Sequence, residues 1–157
     1  MKITLITVGK TSFDFVKEGM AMYEKRIGRY LSYTRVEIPA VSGTSSLSPE
    51  EVKEKEGAAV LKRIKEGDRV VLLDERGLRY NSKEWAARLG KLMDTGCKSL
   101  VFIIGGAYGF SPGVREAAAE TLSLSDMTFS HQIIRLFFTE QLYRAMTILR
   151  GEPYHNE

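Results

Sequence analysis

Three segments of the 157-residue chain carry residue types that could hold or transform a ligand. The first is Gly105-Gly106-Ala107-Tyr108-Gly109, which follows the most apolar run of the chain, SLVFII at 99–104. Two adjacent glycines at a strand end let the backbone approach a ligand closely and free amides to point at it. The same pattern also serves a plain tight turn. It is not a dinucleotide fingerprint, because Ala107 and Phe110 stand where the second and third glycines would be, and no G-x-x-x-x-G-K-[ST] phosphate loop is present. The second is Leu73-Asp74-Glu75-Arg76-Gly77. Asp74 there could meet a ligand hydroxyl or a partner's arginine, or belong to a charged turn in which Gly77 takes a positive φ. The third is LSLSDMTFSH at 122–131, where apolar and hydroxyl residues alternate and four hydroxyls are on offer. Such a loop can cup an aromatic base with backbone groups while apolar side chains cover its faces. His131 alone reads more readily as a helix-start residue than as a catalyst.

The C-terminal region adds a fourth set. In QIIRLFFTEQLYRAMTILR (132–150), Ile134, Phe138, Leu142, Ala145 and Leu149 form one apolar face, which Ile133, Phe137 and Met146 broaden. A helix this apolar has more than one side covered, either as a central core helix or as a subunit interface. Glu140 and Arg144 stand four apart in the favourable order for pairing. Arg135, Arg144 and Arg150 give the region a local positive excess. The tail GEPYHNE could be a frayed end. Yet tyrosine stacks on bases, and histidine donates to phosphate or exchanges protons.

These segments need a scaffold, and the pattern supplies one. KITLITV (2–8) reads as a buried strand, followed by a helix over about 13–30 whose apolar face is Val16, Met20, Tyr23, Ile27 and Tyr30. TRVEIPA (34–40) reads as a second strand. Ser48-Pro49-Glu50-Glu51 is a capping box that starts a helix running to about 65, with Gly67 ending it. The charged run KEKE (53–56) is expected on its solvated face. RVVLLD (69–74) reads as a central strand, Ser82 as the cap of a helix over 83–95, and SLVFIIGG (99–106) as the strongest strand. A helix near 112–120, a short strand at 121–124 and the last helix complete the chain. Such alternation specifies an α/β fold with a mostly parallel sheet and helices on both faces. In these sheets ligands bind beyond the carboxyl ends of the strands, which points to the segments after Leu73, Ile104 and Leu124.

Composition narrows the class. With 43% apolar and 27% charged residues the chain is an ordinary globular one, expected to form a single domain over 1–157. A net charge of +3 permits a polyanionic partner without demanding one. The lone cysteine, Cys97, excludes an intrachain disulfide and favours a reducing compartment. One cysteine and two histidines are too few for a zinc site unless carboxylates contribute, so no metal is expected. No apolar stretch is long enough to span a bilayer, and the N-terminal run is too short for a signal peptide, so a cytoplasmic location is expected.

Over essentially its whole length the sequence resembles the ribosomal RNA large subunit methyltransferase H family, in the SPOUT class of knotted methyltransferases. The resemblance is carried by MKITLITVGK (1–10), YEKRIGRY (23–30), KEKEG (53–57), FIIGGAYGFS (102–111), LSLSDMTFSHQIIRLFFTEQLYRA (122–145) and ILRGEPYH (148–155). Ser130 stands where a proline commonly precedes the histidine, and Asp126 where a basic or small residue is common. The resemblance implies S-adenosylmethionine as methyl donor, held by Leu73, Gly105 and Leu124, Ser125, Asp126, Met127, Thr128 and Phe129. It implies a deep C-terminal trefoil knot, against which general topology rules argue, and a homodimer in which the partner's tail completes each site. The implied reaction is methyl transfer to N3 of a pseudouridine in 23S rRNA, on assembled ribosomes. Tyr154 or His155 would assist loss of the imide proton or orient the base. Arg144 would contact phosphate, with His131 or Arg135 near the RNA. The competing expectations are a non-catalytic α/β nucleotide-binding module and a SPOUT methyltransferase of other specificity.

Overall fold

The computed structural model describes residues 1–156. Its elements run β1 (Lys2–Val8), α1 (Asp14–Ile27), β2 (Ser32–Ile38), a 3-10 turn (Thr44–Ser46), α2 (Pro49–Leu61), β3 (Arg69–Arg79), α3 (Ser82–Asp94), β4 (Ser99–Ile104), α4 (Pro112–Ala117), β5 (Glu120–Ser123) and α5 (Ile133–Leu149). The strands form one five-stranded sheet in the order β2-β1-β4-β3-β5. Every pairing is parallel, so the mostly parallel sheet expected from the sequence is wholly so.

The two-residue period of the strands sorts their apolar residues onto two faces. Ile3, Leu5, Val71, Leu73, Leu100, Phe102 and Ile104 pack with α1, α3 and α5. Their alternates Ile6, Val8, Val70, Leu72, Val101 and Ile103 pack with Val60 of α2 and Val114 of α4. Crossovers toward the β2 edge (β1 to β2, β3 to β4) use α1 and α3 on the first face. Those toward the β5 edge (β2 to β3, β4 to β5) use α2 and α4 on the second. A single crossover hand requires this division. Phe102 joins the layers, 4.7 Å from the ring of Phe138 and 5.8 Å from that of Trp85. Burying a side chain of this size is worth about 1.5–3 kcal/mol.

Several boundaries differ from the expected ones for local reasons. Helix α3 is capped by Asn81, one residue before Ser82: Asn81 Oδ1 accepts from the Glu84 amide at 2.9 Å and Glu84 Oε2 from the Asn81 amide at 2.8 Å. Helix α1 spans 14–27, β2 spans 32–38 and α2 stops at Leu61, short of 65. The largest difference is β3, which continues past Asp74 to Arg79 through an irregularity between Leu73 and Leu78. Gly77 lies in that extension without a positive φ. A Cβ there would fall 2.6 Å from the Thr121 backbone, so close strand approach, and no turn, requires the glycine.

Candidate functional site

The carboxyl ends of β3, β4 and β5 open onto a cavity of about 480 Å³. Its floor and walls are the three segments singled out by the sheet rule: Leu73 to Arg76, Gly105 to Phe110, and the loop from Leu122 to His131, with Ile134 of α5 closing one side. The glycine turn is held by an antiparallel bridge between Gly106 and Gly109, and only Gly109 has a positive φ, +79°. Space is tight around Gly105 for a different reason: a Cβ would stand 3.1 Å from the Phe110 ring and 3.2 Å from the Gly109 carbonyl. At Gly105, Gly106 and Gly109 it is therefore backbone that faces the cavity.

The third loop is braced by its own hydroxyls. Ser123 Oγ donates to the Ser125 carbonyl at 2.9 Å, and Ser125 Oγ accepts from the Met127 amide at 3.0 Å. Ser130 Oγ accepts from the Ile133 amide at 3.1 Å, so the serine in the proline position caps the start of α5. Leu73, Gly105, Leu124, Ser125, Met127, Thr128, Phe129 and His131 all line the cavity. Asp126 does not. It points outward and pairs with Arg79 at 2.7 Å.

Asp74 sits at the cavity edge, bound on both oxygens. Oδ1 accepts from the Arg76 amide at 3.0 Å, and Oδ2 from Arg115 Nη2 at 2.9 Å. Burial alone would raise its pKa; the Arg76 amide and the Arg115 and Arg76 guanidinium groups outweigh it and hold the carboxyl at about 2. It is thus a fixed, neutralised charge.

Arg135 is not at a surface. It is fully buried, and its guanidinium donates to the carbonyls of Val8, Gly9 and His131 and to Thr11 Oγ1, all at 2.8–3.0 Å. Gln132 reinforces the contact by donating to the Lys10 carbonyl and accepting from the Ser12 amide. The expected RNA contact at Arg135 gives way to a clamp that fixes the first turn of α5, and with it the cavity wall at His131 and Ile134, to the end of β1.

A second cluster lies further along α5. Glu140 Oε1 accepts from Arg144 Nη2 at 2.7 Å, Arg144 Nε at 3.1 Å and Tyr154 Oη at 3.0 Å. Arg144 Nη1 meets His155 Nδ1 at 3.2 Å, and its guanidinium carbon lies 4.8 Å from the centre of the Tyr154 ring. Tyr154 packs edge-on to Tyr143 at 4.7 Å, and its hydroxyl is 3.4 Å from that of Tyr23. Tyr30 donates to Glu152. From Glu152 to His155 the tail is therefore docked on α1 and α5 and is not frayed. Burial, then the Tyr23 hydroxyl and Glu140, push the Tyr154 pKa well above the tyrosine range. Neither Tyr154, His155 nor Arg144 lines the cavity. Arg144 is ten residues beyond Ile134, about 15 Å along the helix.

The family model described as "Predicted SPOUT methyltransferase" matches residues 1–155. The chain belongs to this SPOUT methyltransferase family. It is 54% identical over 157 residues to a protein of Porphyromonas gingivalis named ribosomal RNA large subunit methyltransferase H, and 50% identical over 157 residues to one of the same name from Bacteroides fragilis; all of each chain is covered in both cases. The fold resembles that in a crystal structure of a probable methyltransferase from Bordetella pertussis, with a TM-score of 0.53 at 14% identity, covering 92% of this chain and 94% of that one.

Within this SPOUT chain, sequence reasoning missed one residue outright. Glu56, expected on a solvated face, is 9% exposed and lies beneath the glycine turn, where a Cβ on Gly106 would be 2.8 Å from both its carboxylate oxygens. The signal was present: Val52, Glu56 and Val60 are four apart, and all three are buried. Among the described residues no group of three or more His, Cys, Asp or Glu is placed to hold a metal, and no helix is long and apolar enough to cross a membrane.

Proposed function

We propose that this SPOUT chain transfers a methyl group from S-adenosylmethionine to N3 of a pseudouridine in 23S rRNA, on assembled ribosomes in the cytoplasm. The observation that carries the reading is the cavity at the ends of β3, β4 and β5, in a chain similar over its full length to proteins named for large-subunit rRNA methylation. The residues present fit the donor. Leu73, Leu124, Phe129 and Ile134 offer apolar walls, and the bare backbone at Gly105 and Gly106 admits a flat, polar-edged group. When bound, the donor supplies a sulfonium methyl carbon. Methyl transfer of this kind depends mainly on alignment, so the rigid loop ends provide much of the effect.

The tail cluster handles the acceptor base. Tyr154 keeps its proton in a hydrogen bond to Glu140, so it is no base at neutral pH. His155 Nδ1 accepts from Arg144, which seats the imidazole against that guanidinium. The Arg144–His155 pair would then orient the uracil ring and stabilise the anion left when the N3 proton departs to water, with the Arg144 cation supplying the charge. Arg144 is thereby drawn into orienting the base as well as toward phosphate, and His131 remains at the cavity rim for RNA.

This division of labour requires a homodimer, because in one protomer the cluster and the cavity stand apart. Exposed Phe13, Phe15, Met22, Phe129 and Phe137 supply apolar surface for such a contact. The trefoil threading and the single-domain organisation over 1–157 belong to the same reading; its last residue, Glu157, lies outside the described residues. The test is transfer of labelled methyl to intact ribosomes, followed by nucleoside mass analysis. The expected product is methylated pseudouridine; any other labelled nucleoside overturns the substrate.

A further inference from the structure

Glu56 holds a buried carboxylate oxygen that no described residue answers. Its Oε2 is fully buried without a hydrogen-bond partner, and no ion pair reaches it among the described residues. Burial pushes its pKa above the usual carboxylate value, and no neighbouring charge offsets the shift. An unpartnered buried acid is costly to a fold, so its presence calls for a compensating contact in some working state.

The packing around it is specific. Helix α2 meets the cavity's underside through the consecutive pair Glu56-Gly57. A Cβ on Gly57 would lie 2.2 Å from Ser111 Oγ, so Gly57 admits the serine that caps α4. Gly106, reciprocally, admits the Glu56 carboxylate. Gly106 also lines the cavity, so the acid stands behind a wall residue that has no side chain. The other acids near the cavity differ. Asp74 is answered by Arg76 and Arg115, Asp126 by Arg79, and Glu75 is exposed. Glu56 is the acid behind the cavity wall for which the described residues supply no ion pair.

Resting on the methyl-donor reading above, we propose that Glu56 is a specificity-determining positioning residue: its carboxylate, behind the backbone of Gly106, makes the cavity favour a cationic sulfonium donor over the neutral thioether product. A positive charge within several ångströms of a buried carboxylate interacts far more strongly than it would in water. A neutral thioether at the same place gains nothing from the acid. Product release after transfer is favoured for the same reason.

The test is calorimetric titration of the full chain at pH 8 with S-adenosylmethionine and, separately, S-adenosylhomocysteine. Glu56→Gln keeps the shape and removes the charge. It is expected to weaken donor binding about tenfold, the equivalent of one pKa unit, and to leave product binding within twofold. Glu56→Asp keeps the charge and should retain the wild-type ratio of the two affinities. If Glu56→Gln does not fold, Glu56→Met gives the same readout without an amide to satisfy. Equal loss for both ligands would show that Glu56 only shapes the turn and would overturn the proposal, as would no change for either. Failure of the wild-type chain to bind either ligand would instead sink the methyl-donor reading, and the proposal with it.

Discussion

The cavity and the tail cluster are built on opposite plans. Around the cavity, recognition surfaces are made by removing side chains: Gly105 and Gly106 leave backbone bare, and the SLSDMTF loop is braced by hydroxyl-to-backbone bonds. In the tail cluster everything is side chain. One carboxylate, Glu140, gathers Arg144 and Tyr154, and Arg144 in turn meets His155. A backbone-made site tolerates changes of side-chain chemistry and fails when a Cβ is added. A side-chain-made site behaves the other way round. The difference suits the two tasks proposed for them: holding a constant donor needs shape, whereas orienting a base and stabilising its anion needs placed charges and donors.

The largest expected effect lies in the tail. His155→Ala should lower kcat by about 10²- to 10³-fold, the cost of losing one preorganised group beside a developing anion. Donor affinity measured by calorimetry should stay unchanged. Loss of donor affinity instead would erase the distinction between the two regions. Next comes the cavity. Gly105→Ala places a methyl 3.1–3.2 Å from the Phe110 ring and the Gly109 carbonyl. Such overpacking costs about 1–3 kcal/mol, so donor affinity should fall at least about tenfold while the tail network, followed by tyrosine fluorescence, is undisturbed.

How well the sequence announced each region follows from the same contrast. The cavity was legible because its parts are local: a glycine pair after a strand and an alternating hydroxyl loop before a helix are visible as strings, and the sheet rule brings their ends together. The hub role of Glu140 was half visible, since its spacing to Arg144 is a helical one, while its bond to Tyr154 depends on how the tail folds back. Arg135 misled because its type suggests a surface, yet its four acceptors come from Val8, Gly9, Thr11 and His131, three of them more than 120 residues away. Glu56 misled because three of four residues in KEKE do avoid the core, and only the four-residue spacing to Val52 and Val60 exposes the exception. The extension of β3 could not be foreseen, because it rests on Gly77 pressing against the backbone of Thr121.

A smaller effect tests whether the cavity rim is held by charge at all. Asp74, with a carboxyl pKa of about 2 in the folded chain against about 3.9 when unfolded, favours folding in its ionised form. Its contribution is complete above pH ~4 and is lost as pH falls through about 2. Asp74→Asn should therefore lower Tm by a few degrees at pH 7, and the two melting curves should converge toward pH 2 in scanning calorimetry. A constant gap down to that pH would mean that packing, not charge, sets the rim.

The smallest effect belongs to Arg79 and Asp126, which are 62% and 72% exposed at 2.7 Å. An ion pair this wet is worth about 0–1 kcal/mol and is screened by salt. Yet it is the side-chain tie between the end of β3 and the outer bend of the 122–131 loop, and like Asp74 with Arg115 it uses the tail's method at the cavity. Asp126→Ala should leave Tm within about 2 °C. It should raise the donor dissociation rate about two- to threefold at low salt, and that difference should vanish at 1 M salt, where the Debye length is about 3 Å. A salt-independent change would show that Asp126 acts through the backbone conformation of the loop, and the cavity would then be a backbone-made site throughout.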